Sequence, residues 1–129
     1  MSLAKMHLKV PTIIETKDKG GRTPLYWAAQ NGHVDLVRLL LEKGANVNAR
    51  EEDRGTPLHW AACIGHVDVV RLLLEKGANV ELKTQNGHSP LEEARGRYES
   101  ESHWNLGSLE EELAEVVKIL QGWNQTLPD

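Results

Sequence analysis

The heptapeptide TPLYWAA begins at Thr23, TPLHWAA at Thr56 and SPLEEAR at Ser89, so both intervals are 33 residues. GHVDLVRLLLEKGANVN from Gly32 returns as GHVDVVRLLLEKGANVE from Gly65, in the same phase. No feature of the chain constrains its fold more. A single unit of this size cannot bury its own apolar face and must lean on its neighbour, so a period of ~33 residues predicts stacked supersecondary modules.

Each unit carries the chemistry of a helix pair. Thr23 and Thr56 precede proline, a favoured pairing at a helix start. The short helix that follows is rich in alanine (Ala28, Ala29; Ala61, Ala62), whose small side chains let neighbouring helices approach closely. Gly32 and Gly65 break the chain. Val34, Leu36, Val37, Leu40 and Leu41 then recur at helical spacing, and Gly44 and Gly77 end that second helix. The segments DKGG (18–21), EDRG (52–55) and QNG (85–87) supply the turn residues of a projecting hairpin.

The period extends in both directions. Backward, it sets Leu3, Met6 and Leu8 under Leu36, Leu39 and Leu41, so residues 1–15 read as the second helix of an incomplete leading repeat. Pro11 falls where Gly44 and Gly77 sit, which also stops a helix. Forward, the third repeat opens at Ser89, but its second-helix pattern, EVVKIL, starts only at Glu115. About fourteen residues are inserted near 96–109 relative to a 33-residue period. Ser108 with Glu111 three residues on reads as a capping box, predicting a helix over Leu109–Gly122.

Composition narrows the function. The formal charge is −4, without the basic footprint that nucleic acid requires. Residues 1–50 carry eight Lys/Arg against four Asp/Glu, and residues 51–129 seven against fifteen, a gradient able to orient a partner. One cysteine, Cys63, excludes an internal disulfide and suits a reducing compartment. MSLAKMHLKV is too short and too charged for a secretory leader, and no apolar run reaches spanning length, so a soluble cytoplasmic protein is expected.

With its 33-residue period, TPLHWAA and GHVDVVRLLLEKGANV, the chain resembles the ankyrin-repeat family over 14–123. The resemblance implies an all-α solenoid of stacked helix pairs with projecting hairpins. It would hold about three repeats and an N-terminal half-repeat in one domain: repeats at 16–48, 49–81 and 82–123, and a tail at 124–129. Hairpins and first helices would line a concave face, and second helices would form the convex back. One departure is Arg54-Gly55, since the family's glycine belongs at Arg54, which leaves the second hairpin's geometry open.

Six histidines invite a metal or catalytic interpretation. His33 and His66 sit one period apart; side chains on stacked repeats ~8–10 Å apart would have to converge on an ion that needs ligands at ~2 Å. They read instead as ties between the inter-helix turn and nearby backbone. His59 resembles the family's structural histidine, with Tyr26 and Glu92 at its equivalent positions. Cys63 and His66 are close in sequence but lack an orienting partner or an oxyanion site. No catalytic residue, metal or cofactor is expected.

Residues that differ between near-identical repeats are the candidates for contact with a partner. At the hairpin tips these are Lys19 and Arg22, Glu52 and Asp53, and Gln85, Asn86 and His88. At the end of the first helix they are Gln30 and Asn31, then Cys63 and Ile64, which by resemblance face the groove. Trp27 and Trp60, with Glu93 at the third equivalent place, would form a ladder on that surface, and Tyr26 and His59 are grouped with it. The insertion, with Tyr98, His103 and Trp104, reads as an end cap or as a second binding loop. The expected function is binding of another protein, through a linear motif or a loop, by a monomeric module without nucleic-acid or membrane contact. The alternative is a self-associating scaffold piece, paired end to end, or a non-catalytic regulatory domain of a larger assembly.

Overall fold

A computed structural model describes residues 14–102 and 108–126. These contain six helices and no strand: α1 (Pro24–Gln30), α2 (Val34–Glu42), α3 (Pro57–Ile64), α4 (Val67–Glu75), α5 (Pro90–Ser102) and α6 (Ser108–Thr126). The first helices stack α1 on α3 on α5, and the second helices α2 on α4 on α6. The all-α stack of helix pairs is therefore the observed architecture.

Local chemistry sets the helix starts. Thr23 Oγ1 accepts the Tyr26 N–H at 3.3 Å, ahead of Pro24. Thr56 does the same for His59, whose ring reaches back to the Thr56 N–H. In the third repeat Ser89 Oγ accepts the Glu92 N–H at 3.2 Å, and Glu92 Oε1 accepts the Ser89 N–H at 2.8 Å. His59 and Glu92 thus do one job with different chemistry, satisfying a donor that helix geometry leaves orphaned. Those hydrogen bonds from Ser89 hold the exposed Glu92 carboxyl below its usual range.

The core lies between the two helix layers. Leu25, Ala28, Leu58, Ala61, Val69, Leu73, Ala94, Val116 and Leu120 are all essentially inaccessible to solvent. Ala28, Ala29, Ala61 and Ala62 of the first helices are all buried. Position in the stack then separates equivalent places: Val69 and Leu72 are 0% and 6% exposed, while Leu36 and Leu39, one period earlier, are 43% and 48% exposed. His66 ties two repeats together, its Nε2 donating to the Gln30 carbonyl at 2.9 Å. Its ring occupies the space above Gly32, where a Cβ would come within 2.8 Å of it, and Gly32 has φ +72°. Glycine is needed there on both counts. His33, by contrast, is exposed.

The three hairpins, here called fingers, repeat one geometry at residues 18–22, 51–55 and 84–88. In each, the first residue's N–H donates to the fifth residue's carbonyl, at 3.0, 3.0 and 2.9 Å. The fingers are also joined to one another: the Glu52 N–H donates to the Gly20 carbonyl at 2.9 Å, and the Gln85 N–H to the Asp53 carbonyl at 2.7 Å. Arg54 does not disturb this pattern. It adopts φ +67°, beside +79° at Gly21 and +82° at Gly87, so the second finger keeps its shape by holding a non-glycine residue in the left-handed region. That conformation costs ~1–2 kcal/mol for a residue with a Cβ. Arg54→Gly is therefore expected to raise the unfolding free energy by about 1 kcal/mol in urea titrations, less what glycine adds to unfolded-chain entropy.

The insertion lengthens helices. α5 runs to Ser102, well past the point matching the ends of α1 and α3, and α6 starts at Ser108 and ends at Thr126, longer at both ends than the Leu109–Gly122 expected from sequence. Leu113, Val116 and Leu120 form its buried stripe, and Glu115 pairs with Arg71 of α4 at 3.0 Å. Residues 1–13 of the incomplete leading repeat expected over 1–15, the side chains of Tyr98, Ser108 and Glu110, and residues His103 and Trp104 lie outside the described residues. Ile14 is buried against the core. No helix among the described residues is long and apolar enough to cross a membrane.

Candidate partner-binding surface

The fingers and first helices bring most of the variable residues onto one surface. At its first-repeat end, Trp27 is 40% exposed, its indole N–H donating to Asp18 Oδ2 at 3.1 Å and the Arg22 guanidinium lying 5.4 Å from its ring centroid. Arg22 also approaches Asp18 at 3.8 Å, so the first finger is less basic than its letters suggest. Asp18 in turn accepts the Arg22 and Gly20 N–H groups, both at 2.9 Å. The Arg22 bond foremost, with those from Gly20 and Trp27, keeps its carboxyl below the usual range.

Tyr26 corrects the sequence expectation. It is 4% exposed and so is not available to a partner, but it fills the space between the two tryptophans, edge-on to each with ring centroids 6.0 Å apart. Burial foremost pushes the pKa of the Tyr26 hydroxyl up to about 12. Trp60 itself is half-buried. The ladder is a Trp27–Tyr26–Trp60 row, with a buried phenol bracing two partly exposed indoles. The bracing was missed because sequence periodicity aligns Tyr26 with His59 and gives no hint that it faces Trp60 across the repeat boundary.

His59 requires the same correction. It is 3% exposed. Its Nδ1 accepts the Thr56 N–H at 3.0 Å and lies 2.8 Å from Thr56 Oγ1, and its Nε2–H donates to the His88 carbonyl at 3.0 Å. Burial, the leading cause, holds its pKa below the ordinary histidine value. It is a neutral structural clasp between the second helix pair and the third finger.

Asn31 is exposed and its Nδ2 caps α1 at the Trp27 carbonyl, at 2.8 Å. Gln30, Cys63 and Ile64 are half-buried, so Ile64 is a modest apolar contact beside a polar rim. Lys19, Glu52, Asp53, Gln85, Asn86 and His88 are exposed at or beside the finger tips. His88 Nδ1 lies 2.9 Å from Glu93 Oε2.

Between the second and third fingers this surface deepens into a pocket of about 250 Å³, lined by Glu51, Asp53, Trp60, Cys63, Gln85 and Glu93 among others. Glu51 belongs with Glu52 and Asp53 to the acidic second finger, and its Oε1 accepts the Gly55 N–H at 2.8 Å. Thr84 and Gly55 are lining residues that sequence reasoning missed; Thr84 was legible as the first residue of a finger. The pocket brings a cysteine and a histidine together, but both His59 ring nitrogens are occupied. Burial foremost raises the Cys63 thiol pKa, partly offset by a hydrogen bond from Arg97. Neither group is placed to activate the other. Among the described residues, no group of three or more His, Cys, Asp or Glu is placed to hold a metal ion.

Comparison with known proteins agrees with this architecture. The family model for ankyrin repeats (three copies) matches residues 2–86 and 48–100. The chain is 61% identical over 36 residues to ankyrin repeat domain-containing protein OPG015 of Monkeypox virus, which covers 28% of this chain and 8% of the relative. It is 49% identical over 49 residues to the probable E3 ubiquitin-protein ligase XBOS33 of Oryza sativa subsp. japonica, covering 36% of this chain and 9% of the relative. It is 39% identical over 41 residues to alpha-latrotoxin-Lt1a of Latrodectus tredecimguttatus, covering 32% of this chain and 3% of the relative. A virus protein, a ligase and a toxin share with it a stretch of repeat and little of their length. What they have in common is the module, and this chain belongs to the ankyrin-repeat family.

Proposed function

We propose that the chain binds a linear segment or loop of another protein across its concave face, without catalysis of its own. As an ankyrin-repeat domain it is a protein-interaction module. The finer assignment rests chiefly on the braced tryptophan row. Two partly exposed indoles, held by a buried tyrosine, are rigid aromatic anchors amid side chains that differ from repeat to repeat. The tips around them are basic, acidic and uncharged in turn, so an extended partner would meet a different chemistry at each finger.

The test is selection of peptides from a random 12-residue display library against the immobilised chain, followed by titration of the selected peptides. Truncating one anchor costs about 2 kcal/mol or more, roughly 30-fold in Kd. The Trp27→Ala and Trp60→Ala variants should each lose about that much, while Arg71→Ala on the convex side should bind as the parent does. Equal binding by all variants would overturn the groove assignment.

A further inference from the structure

The pocket between the second and third fingers differs from the rest of the groove in ways that specify its occupant. Its lining includes three carboxylates, Glu51, Asp53 and Glu93, the Trp60 indole and the amides of Gln85 and Asn86, and neither lysine nor arginine. Basic side chains border it: the Arg97 guanidinium lies beside the lining Cys63 thiol, His88 Nδ1 sits 2.9 Å from Glu93 Oε2, and Arg50 donates to the Lys83 carbonyl at 3.3 Å. Asp53 is exposed at the rim. The cavity, at about 250 Å³, has room for one long side chain and not for a folded element.

We propose that this pocket receives an arginine side chain of the partner, resting on the groove-binding function above. A guanidinium meets all three features at once. Its planar fork donates to more than one carboxylate, its flat face packs on an indole, and it sheds water more readily than an ammonium. A lysine would find the charge but neither the fork geometry nor the stacking, so it binds here more weakly. An acidic side chain would add like charge to an acidic lining, and a purely aliphatic one would bring the carboxylates no cation.

The same display selection decides the matter, read for composition as well as affinity. Peptides retained by the parent chain and lost by Trp60→Ala should carry arginine at one fixed position. Replacing that arginine with lysine should weaken binding by severalfold and with norleucine by about tenfold or more. The Asp53→Asn/Glu93→Gln variant should lose affinity for the arginine peptide by a similar factor, and then no longer distinguish arginine from norleucine. Circular dichroism of that variant should match the parent, since neither carboxylate holds the backbone. Peptides that need Trp27 and Trp60 but show no fixed basic residue would overturn the arginine site and leave the groove function standing. Peptides indifferent to both tryptophans would overturn both.

Discussion

Leu72→Ala is expected to lower the unfolding free energy by about 2–3 kcal/mol, while Leu39→Ala lowers it by less than about 1 kcal/mol. The two leucines sit in the same local sequence, VRLLLE, on helices of the same length, so propensity, capping and charge are matched. They differ in the neighbour. Leu72 is 6% exposed and belongs to the hydrophobic core, and Leu39 is 48% exposed. Removing Leu72 opens a cavity; removing Leu39 trims a side chain already half in water. Equilibrium urea unfolding of both variants, with the slope checked for constancy, measures the contrast. Equal losses would mean that the outward face of α2 is covered as fully as that of α4.

The second large effect is at His59. His59→Ala removes the acceptor for the buried Thr56 N–H and one of the two donors to the part-buried His88 carbonyl, which keeps the Thr84 N–H. A loss of about 2–3 kcal/mol is expected, at the upper end for one buried polar group because two contacts go at once. The substitution also carries a pH signature. Burial holds the folded-state pKa of His59 below the ordinary value of 6.5, so in that window the unfolded chain binds more protons than the folded one. The stability that neutral His59 contributes is complete above about pH 6.5 and is lost as the pH falls from there through the folded-state pKa. Between pH 7.5 and 5.5 the parent should lose stability on acidification more steeply than His59→Ala. Parallel curves would show that His59 does not titrate differently in the two states.

Much of the fold was legible because the same physics was written three times. Thr23-Pro24, Thr56-Pro57 and Ser89-Pro90 mark helix starts by capping chemistry alone, and the 33-residue interval says which helices stack. What sequence could not give was each residue's neighbour across the repeat boundary. Tyr26 and His59 occupy equivalent positions and were grouped with the partner-facing residues, His59 also resembling a structural histidine, yet one braces two tryptophans and the other bridges to the third finger. The form of the insertion was not legible: polar and acidic, it read as an end cap or a second binding loop, and its first residues continue α5 as far as Ser102. Arg54 shows the reverse. Its departure from glycine was visible, while the answer, an unchanged finger holding a left-handed arginine, depended on main-chain bonds to both neighbouring fingers.

Those bonds have a consequence of their own. Gly20 to Glu52 and Asp53 to Gln85 are joined through amide and carbonyl atoms, which every substitution except proline retains. The exposed letters at Lys19, Glu52, Asp53, Gln85 and Asn86 can therefore be rewritten while the scaffold stays in alignment. Recognition and cohesion reside in separate atoms, so a lineage, or a protein engineer, can retarget the domain without first having to rescue its folding.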